Sequence, residues 1–175
     1  MRTGIVKSLF AQAVRDDPSP SSVIHTINRG MNRFGGESPL TLFYGVLDVE
    51  SMLLKYANAG HPGPLLCRTG GEIETLDSSA PLLGAGIALP KNPEMEAQLA
   101  RGDSVVLYTD GIVEAVDAKH RWFGLDNLLR TVREHSEQPP QVIADELCRA
   151  ARLFAAGGLP LDDLTAIVLR FEPPQ

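Results

Sequence analysis

The chain has 175 residues, 22 acidic against 16 basic for a formal net charge of −6, and 43% of its side chains are apolar. That length suits one domain and buries enough surface to fold without disulfides, and the apolar fraction excludes general disorder. The acidic balance, with the Lys and Arg residues scattered, argues against a nucleic-acid backbone or an anionic membrane as main partner, because such binders show a basic patch or stripe.

Apolar side chains at Ile5, Val6, Leu9, Phe10, Ala13 and Val14 repeat every three to four residues and predict a helix over 2–15. Asp16-Asp17-Pro18 stops it, since proline lacks an N–H and clashes with the preceding turn. Ser19-Pro20 then offers an N-cap and a first-turn proline. The stripe Val23, Ile24, Ile27, Met31 and Phe34 predicts a second helix over 20–33, ended by Gly35-Gly36. From Leu40 to Val49 and from Met52 to Asn58 the sequence turns to β-formers around a short turn, which reads as a hairpin. Asn58 to Pro64 holds too many breakers to be anything but a loop. Leu65-Leu66-Cys67 and Glu72–Leu76 flank Thr69-Gly70-Gly71 as a second hairpin, and Met95–Ala100 is a further strand.

Ser104 to Thr109 (SVVLYT) is a nearly continuous apolar run, the pattern of a strand buried on both faces. Leu125, Leu128, Leu129 and Val132 mark a helix. Pro140 opens another, which runs through Phe154 to Gly157-Gly158, and Leu164–Phe171 is a last strand. Helices and strands are segregated rather than alternating, so the fold class is α+β. Cys67 and Cys148 lie far apart with no metal-binding spacing and read as free thiols of a reducing compartment. The first residues lack the apolar core of a signal peptide, and no apolar run approaches the ~20 residues of a membrane helix. These features predict a cytoplasmic setting.

Two acidic pairs could carry chemistry. Asp110-Gly111 follows the SVVLYT strand, and Asp162-Asp163-Leu164-Thr165 enters the final strand. Each alone reads more readily as a turn, because Asp-Gly is a preferred turn pair and Asp bonds its own backbone. Together they are more than that. If the two apolar strands lie side by side, two carboxylates converge at one end of a sheet, an oxygen-ligand geometry suited to Mg²⁺ or Mn²⁺ and to phosphate chemistry. His61, in the Gly/Pro loop, could donate a proton or could simply fix the loop. His25, His120 and His135 read as surface or structural residues without partners. Trp122-Phe123 reads as a core anchor, and Glu114 as solvent-facing.

TLFYGVLDVESMLLKYANAGHPGPLL (41–66), APLLGAGI (80–87), RGDSVVLYTDGIVEA (101–115), WFGLDNLL (122–129) and DDLTAIVL (162–169) form an ordered set. The set resembles the PPM-type metal-dependent protein serine/threonine phosphatases, and within them the bacterial SpoIIE/RsbU branch. The resemblance implies one phosphatase-like domain over 1–175, partial at its N-terminal side. Its fold would be an αββα sandwich of two antiparallel sheets flanked by helix pairs, lacking the N-terminal strands. It implies Mn²⁺ or Mg²⁺, two ions in the family, activating a water that attacks phosphoserine or phosphothreonine. Asp110 and Asp162 match the metal-binding positions. Gly111, Asp163, Thr165 and His61 would support them without ligating directly. The implied partner is a phosphorylated STAS-type anti-anti-sigma factor, and the implied role is control of sigma factors.

One family motif, G-D-x-x-G-x-G, whose Asp bridges the two ions, does not occur in this chain. Gly102-Asp103 matches a different position. The expectation is therefore at most one well-held ion on Asp110 and Asp162 and an impaired hydrolytic centre. The alternative function is a phosphatase-like module that docks a phosphoprotein without hydrolysing it. An open sheet edge would also favour self-association.

Overall fold

The computed structural model of the chain describes residues 2–33, 39–158 and 162–172. It begins with helices α1 (Arg2–Asp16) and α2 (Pro20–Arg33). Strands β1 (Leu42–Asp48), β2 (Leu53–Ala59), β3 (Leu65–Cys67), β4 (Ile73–Thr75), β5 (Met95–Gln98) and β6 (Ser104–Tyr108) follow. Helices α3 (Asp110–Val113), α4 (Gly124–Glu134) and α5 (Pro140–Phe154) precede the last strand, β7 (Ala166–Arg170). The chain divides into two compact units, Met1–His61 with Asp77–Leu99, and Pro62–Leu76 with Ala100–Gln175. Helices and antiparallel sheets are segregated, as the sequence predicts for an α+β fold.

In the first unit, α1 stops one residue before Asp17, whose carboxylate accepts the Ser19 N–H at 2.9 Å. The Ser19 hydroxyl accepts the Ser22 N–H at 3.4 Å and so caps the start of α2. Val23, Ile24 and Ile27 are fully buried and form a core with Ala57 and Ala59 of β2 and with Leu83. Phe34 and Gly35-Gly36 lie outside the described residues. The sheet runs β1-β2-β5, antiparallel throughout. Fully buried Asn58, at the end of β2, ties the strand to the segment after it. Its carbonyl accepts the N–H groups of Ser79 and Ala80, and its Oδ1 accepts the His61 N–H at 2.9 Å.

In the second unit the order is β4-β3-β6-β7, again antiparallel. The strand β6 lies inside this sheet, which explains its unbroken apolar run. Val106 and Tyr108 face a core built with Leu128 and Val132 of α4 and Ile143, Leu147 and Ala151 of α5. Phe123 is buried in that core, but Trp122 is 64% exposed, so the anchor is the phenylalanine alone. Trp122 stands two residues before the glycine that opens α4, and its backbone forms an isolated antiparallel bridge with Val116. His135 is not partnerless either, since its Nδ1 lies 2.9 Å from the Thr131 carbonyl. Both cysteines are free. Burial is the main cause that pushes the Cys67 thiol up to about 11, so it is inert as a nucleophile at neutral pH.

The start of β6 is held by Asp103, whose side chain is almost completely buried. One carboxylate oxygen accepts the Ala100 N–H at 2.9 Å and the Arg68 guanidinium at 3.0 Å. The other accepts the Thr69 N–H and hydroxyl. Burial opposes the charge, but these donors outweigh it and hold the carboxyl below its ordinary range.

Candidate metal site

The far end of β6 is built differently. Antiparallel pairing sets Tyr108 opposite Ala166, so the chain leaving β6 and the chain entering β7 share one end of the sheet. The ladder continues one step further, as the Thr109 N–H donates to the Thr165 carbonyl at 3.0 Å. The Thr109 hydroxyl donates to the Asp163 carbonyl and accepts the Thr165 N–H, both at 3.1 Å. The segment 162–165 is thus fastened directly beside Asp110.

Asp110 does not form the expected β-turn with Gly111. It opens the single-turn helix α3, which fully buried Ile112 anchors to the core. Gly111 is required there for space rather than for conformation. A Cβ on it would come within 2.6 Å of the Asp163 carbonyl oxygen. The two acidic motifs therefore touch through their backbones, with the Gly111 Cα packed on Asp163.

Asp110, Asp162 and Asp163 are all exposed. Asp110 Oδ1 accepts the Gly111 N–H at 3.0 Å, and Asp162 Oδ1 accepts the Asp163 N–H at 2.8 Å. Each of these two carboxylates is oriented by its own backbone and keeps its other oxygen clear of an ion pair among the described residues. An open depression beside them is lined by Arg152, Asp162, Asp163, Leu164 and Thr165.

Of the residues singled out in the sequence, the structure brings Asp110, Gly111, Asp162, Asp163 and Thr165 to one end of the β6–β7 pair. His61 belongs to the other unit, where its N–H secures the loop. Glu114 is exposed at the end of α3. Sequence reasoning missed Thr109, whose only signal is a hydroxyl-bearing residue at the strand end before Asp-Gly. It also missed Arg152, which no motif marks.

The donor set suits a hard divalent ion, because Mg²⁺ and Mn²⁺ bind through one or two carboxylates and complete their shells with water. Among the described residues no group of three or more His, Cys, Asp or Glu side chains gathers around a common point.

The two-sheet α+β fold is similar to that of solved PP2C-type phosphatase domains. The SiaA PP2C domain of Pseudomonas aeruginosa superposes with a TM-score of 0.84 at 18% identity, over 97% of this chain and 68% of that one. The phosphatase domain of the cell fate determinant SpoIIE from Bacillus subtilis does so with a TM-score of 0.67 at 21% identity, over 97% and 75%. The sequence profile of the family described as Stage II sporulation protein E (SpoIIE) matches residues 1–172, and the chain belongs to that family.

The phosphoserine phosphatase RsbU of Bacillus subtilis (strain 168) is 26% identical over 153 residues, 86% of this chain and 45% of RsbU. Protein IcfG of Synechocystis sp. is 26% identical over 131 residues, 74% of this chain and 20% of IcfG. The chain thus spans less than half the length of these curated relatives. Among the described residues no helix is long and apolar enough to cross a membrane.

Proposed function

We propose that this chain carries a metal-binding part of a protein serine/threonine phosphatase acting on a phosphorylated regulatory protein, in the cytoplasm. The observation that supports this most is the β6–β7 register, which sets Asp110 and the Asp162 segment at one sheet end, their backbones in contact at Gly111 and Asp163. Asp110 and Asp162 would hold Mn²⁺ or Mg²⁺, and the ion, when bound, supplies an activated water for attack on phosphorus. Asp163 turns its carbonyl toward Gly111 and orients the segment. Arg152, at the rim of the same depression, is placed to attract an anionic phosphoryl group. RsbU, by name a phosphoserine phosphatase, supports phosphoserine as substrate, and the branch resemblance supports a STAS-type protein as its carrier.

The ligand count favours a second reading, a module that docks the phosphoprotein without hydrolysing it. Mn²⁺-dependent hydrolysis of p-nitrophenyl phosphate separates the two. Turnover that Asp110→Asn abolishes establishes the phosphatase. No turnover, with retained binding of a phosphorylated STAS protein, establishes the module, and neither turnover nor binding contradicts both. Self-association is a separate proposal, supported by β7 as an outer strand with Ile167 and Leu169 each 50% exposed. Light scattering that shows only monomer at high concentration contradicts it.

A further inference from the structure

Thr109 has no place in the acidic motifs, yet it makes the most connections at this end of the sheet. Its hydroxyl is used twice, as donor to the Asp163 carbonyl and as acceptor from the Thr165 N–H, while its own N–H donates to the Thr165 carbonyl. The Asp163 carbonyl that receives this hydroxyl is also the atom pressed against Gly111. Thr109 and Gly111 lie on either side of Asp110, so one carbonyl is gripped from both flanks of the first carboxylate. Asp162 is the residue just before that carbonyl, and its carboxylate is fixed in turn by the Asp163 N–H. A continuous chain of contacts therefore runs from Asp110 through its two neighbours to the Asp163 peptide and on to Asp162.

We infer that Thr109 is a positioning residue for the cation site, its hydroxyl setting the separation of the Asp110 and Asp162 carboxylates by seating the Asp163 carbonyl. This rests on the proposal that the two carboxylates hold a hard cation. The hydroxyl does what groups behind metal ligands do generally, fixing the orientation in which the ligands are presented, and loss of such a partner costs 10–100-fold in metal affinity. Valine matches threonine in shape but can neither donate to Asp163 nor accept from Thr165. Serine keeps both functions and drops only the methyl group.

The test is calorimetric Mn²⁺ binding to the chain and to Thr109→Val, Thr109→Ser and Asp110→Asn, with thermal denaturation of each protein without metal. The expected result is a loss of at least roughly tenfold in Mn²⁺ affinity for Thr109→Val, with Thr109→Ser within about threefold of the parent. Amide exchange at Thr165 should quicken in Thr109→Val and not in Thr109→Ser. If Thr109→Val lowers the melting temperature but binds Mn²⁺ as the parent does, the hydroxyl is merely structural and the inference is overturned while the cation site stands. If the parent binds no Mn²⁺, or binds it equally well in Asp110→Asn, the cation site itself falls and the inference with it. Should Thr109→Val fold poorly, equal Mn²⁺ affinities for Thr109→Ser and Thr109→Ala overturn the positioning role, and a loss confined to Thr109→Ala supports it.

Discussion

Strand β6 carries an aspartate beside a glycine near each end, and the two are opposites. Asp103, before the strand, is buried and saturated by Ala100, Thr69 and Arg68. Asp110, after it, is exposed and takes one hydrogen bond, from the next residue. A buried carboxylate with every lone pair occupied has nothing left for a ligand, and its charge serves the fold. An exposed carboxylate held by its backbone alone contributes little to the fold and keeps an oxygen to offer. The difference separates a structural acid from the acid proposed as a ligand within a few residues of one strand, where residue type alone cannot.

The contrast can be broken by substitution. Asp103→Ala, which takes one acceptor from the Arg68 guanidinium (still paired with Glu74) and the side-chain acceptor from the Ala100 and Thr69 N–H groups, should cost about 2–3 kcal/mol in urea denaturation. Gly111→Ala forces the new methyl toward the Asp163 carbonyl and should cost about 1–3 kcal/mol while also weakening Mn²⁺ binding, because the two acidic segments must part. Asp110→Asn should change stability by less than about 0.5 kcal/mol, as exposed substitutions do, while reducing Mn²⁺ affinity. Equal losses of stability for Asp103→Ala and Asp110→Asn would erase the distinction.

The smallest effect is a pH dependence. The folded chain holds the Asp103 carboxyl below its unfolded value, so its contribution is fully present above the ordinary carboxylate range, around pH 4, and is lost as pH falls through the folded value. Acid titration of stability should therefore be shallower below about pH 4 in Asp103→Asn than in the parent.

Much of the fold was legible because its signals are local. The apolar run of β6 announced an inner strand, and Val23, Ile24 and Ile27 announced the buried face of α2. Pro140 marked the first residue of α5. Trp122 was misread because bulk predicts burial only on average, and here the adjacent Phe123 fills the core. Of the candidate site, the meeting of the Asp110 and Asp162 segments could be foreseen, since each abuts an apolar strand whose pairing was foreseeable. The role of Gly111 as a spacer was not, because it depends on a carbonyl 52 positions later that only the register brings near. Thr109 was hidden for the same reason, and Asp103 was passed over because its four donors come from Arg68, Thr69 and Ala100, on the far side of a turn or of another strand.

The most direct test of the central claim, that the end of β6 beside Asp162 is a ligand site for one hard cation, is the stoichiometry of Mn²⁺ binding. Electron paramagnetic resonance counts the free ion as it is titrated into the chain. The expected result is one weakly held Mn²⁺ per chain, lost in Asp110→Asn and in Asp162→Asn. Two tightly held ions, or one ion retained in both variants, would contradict it.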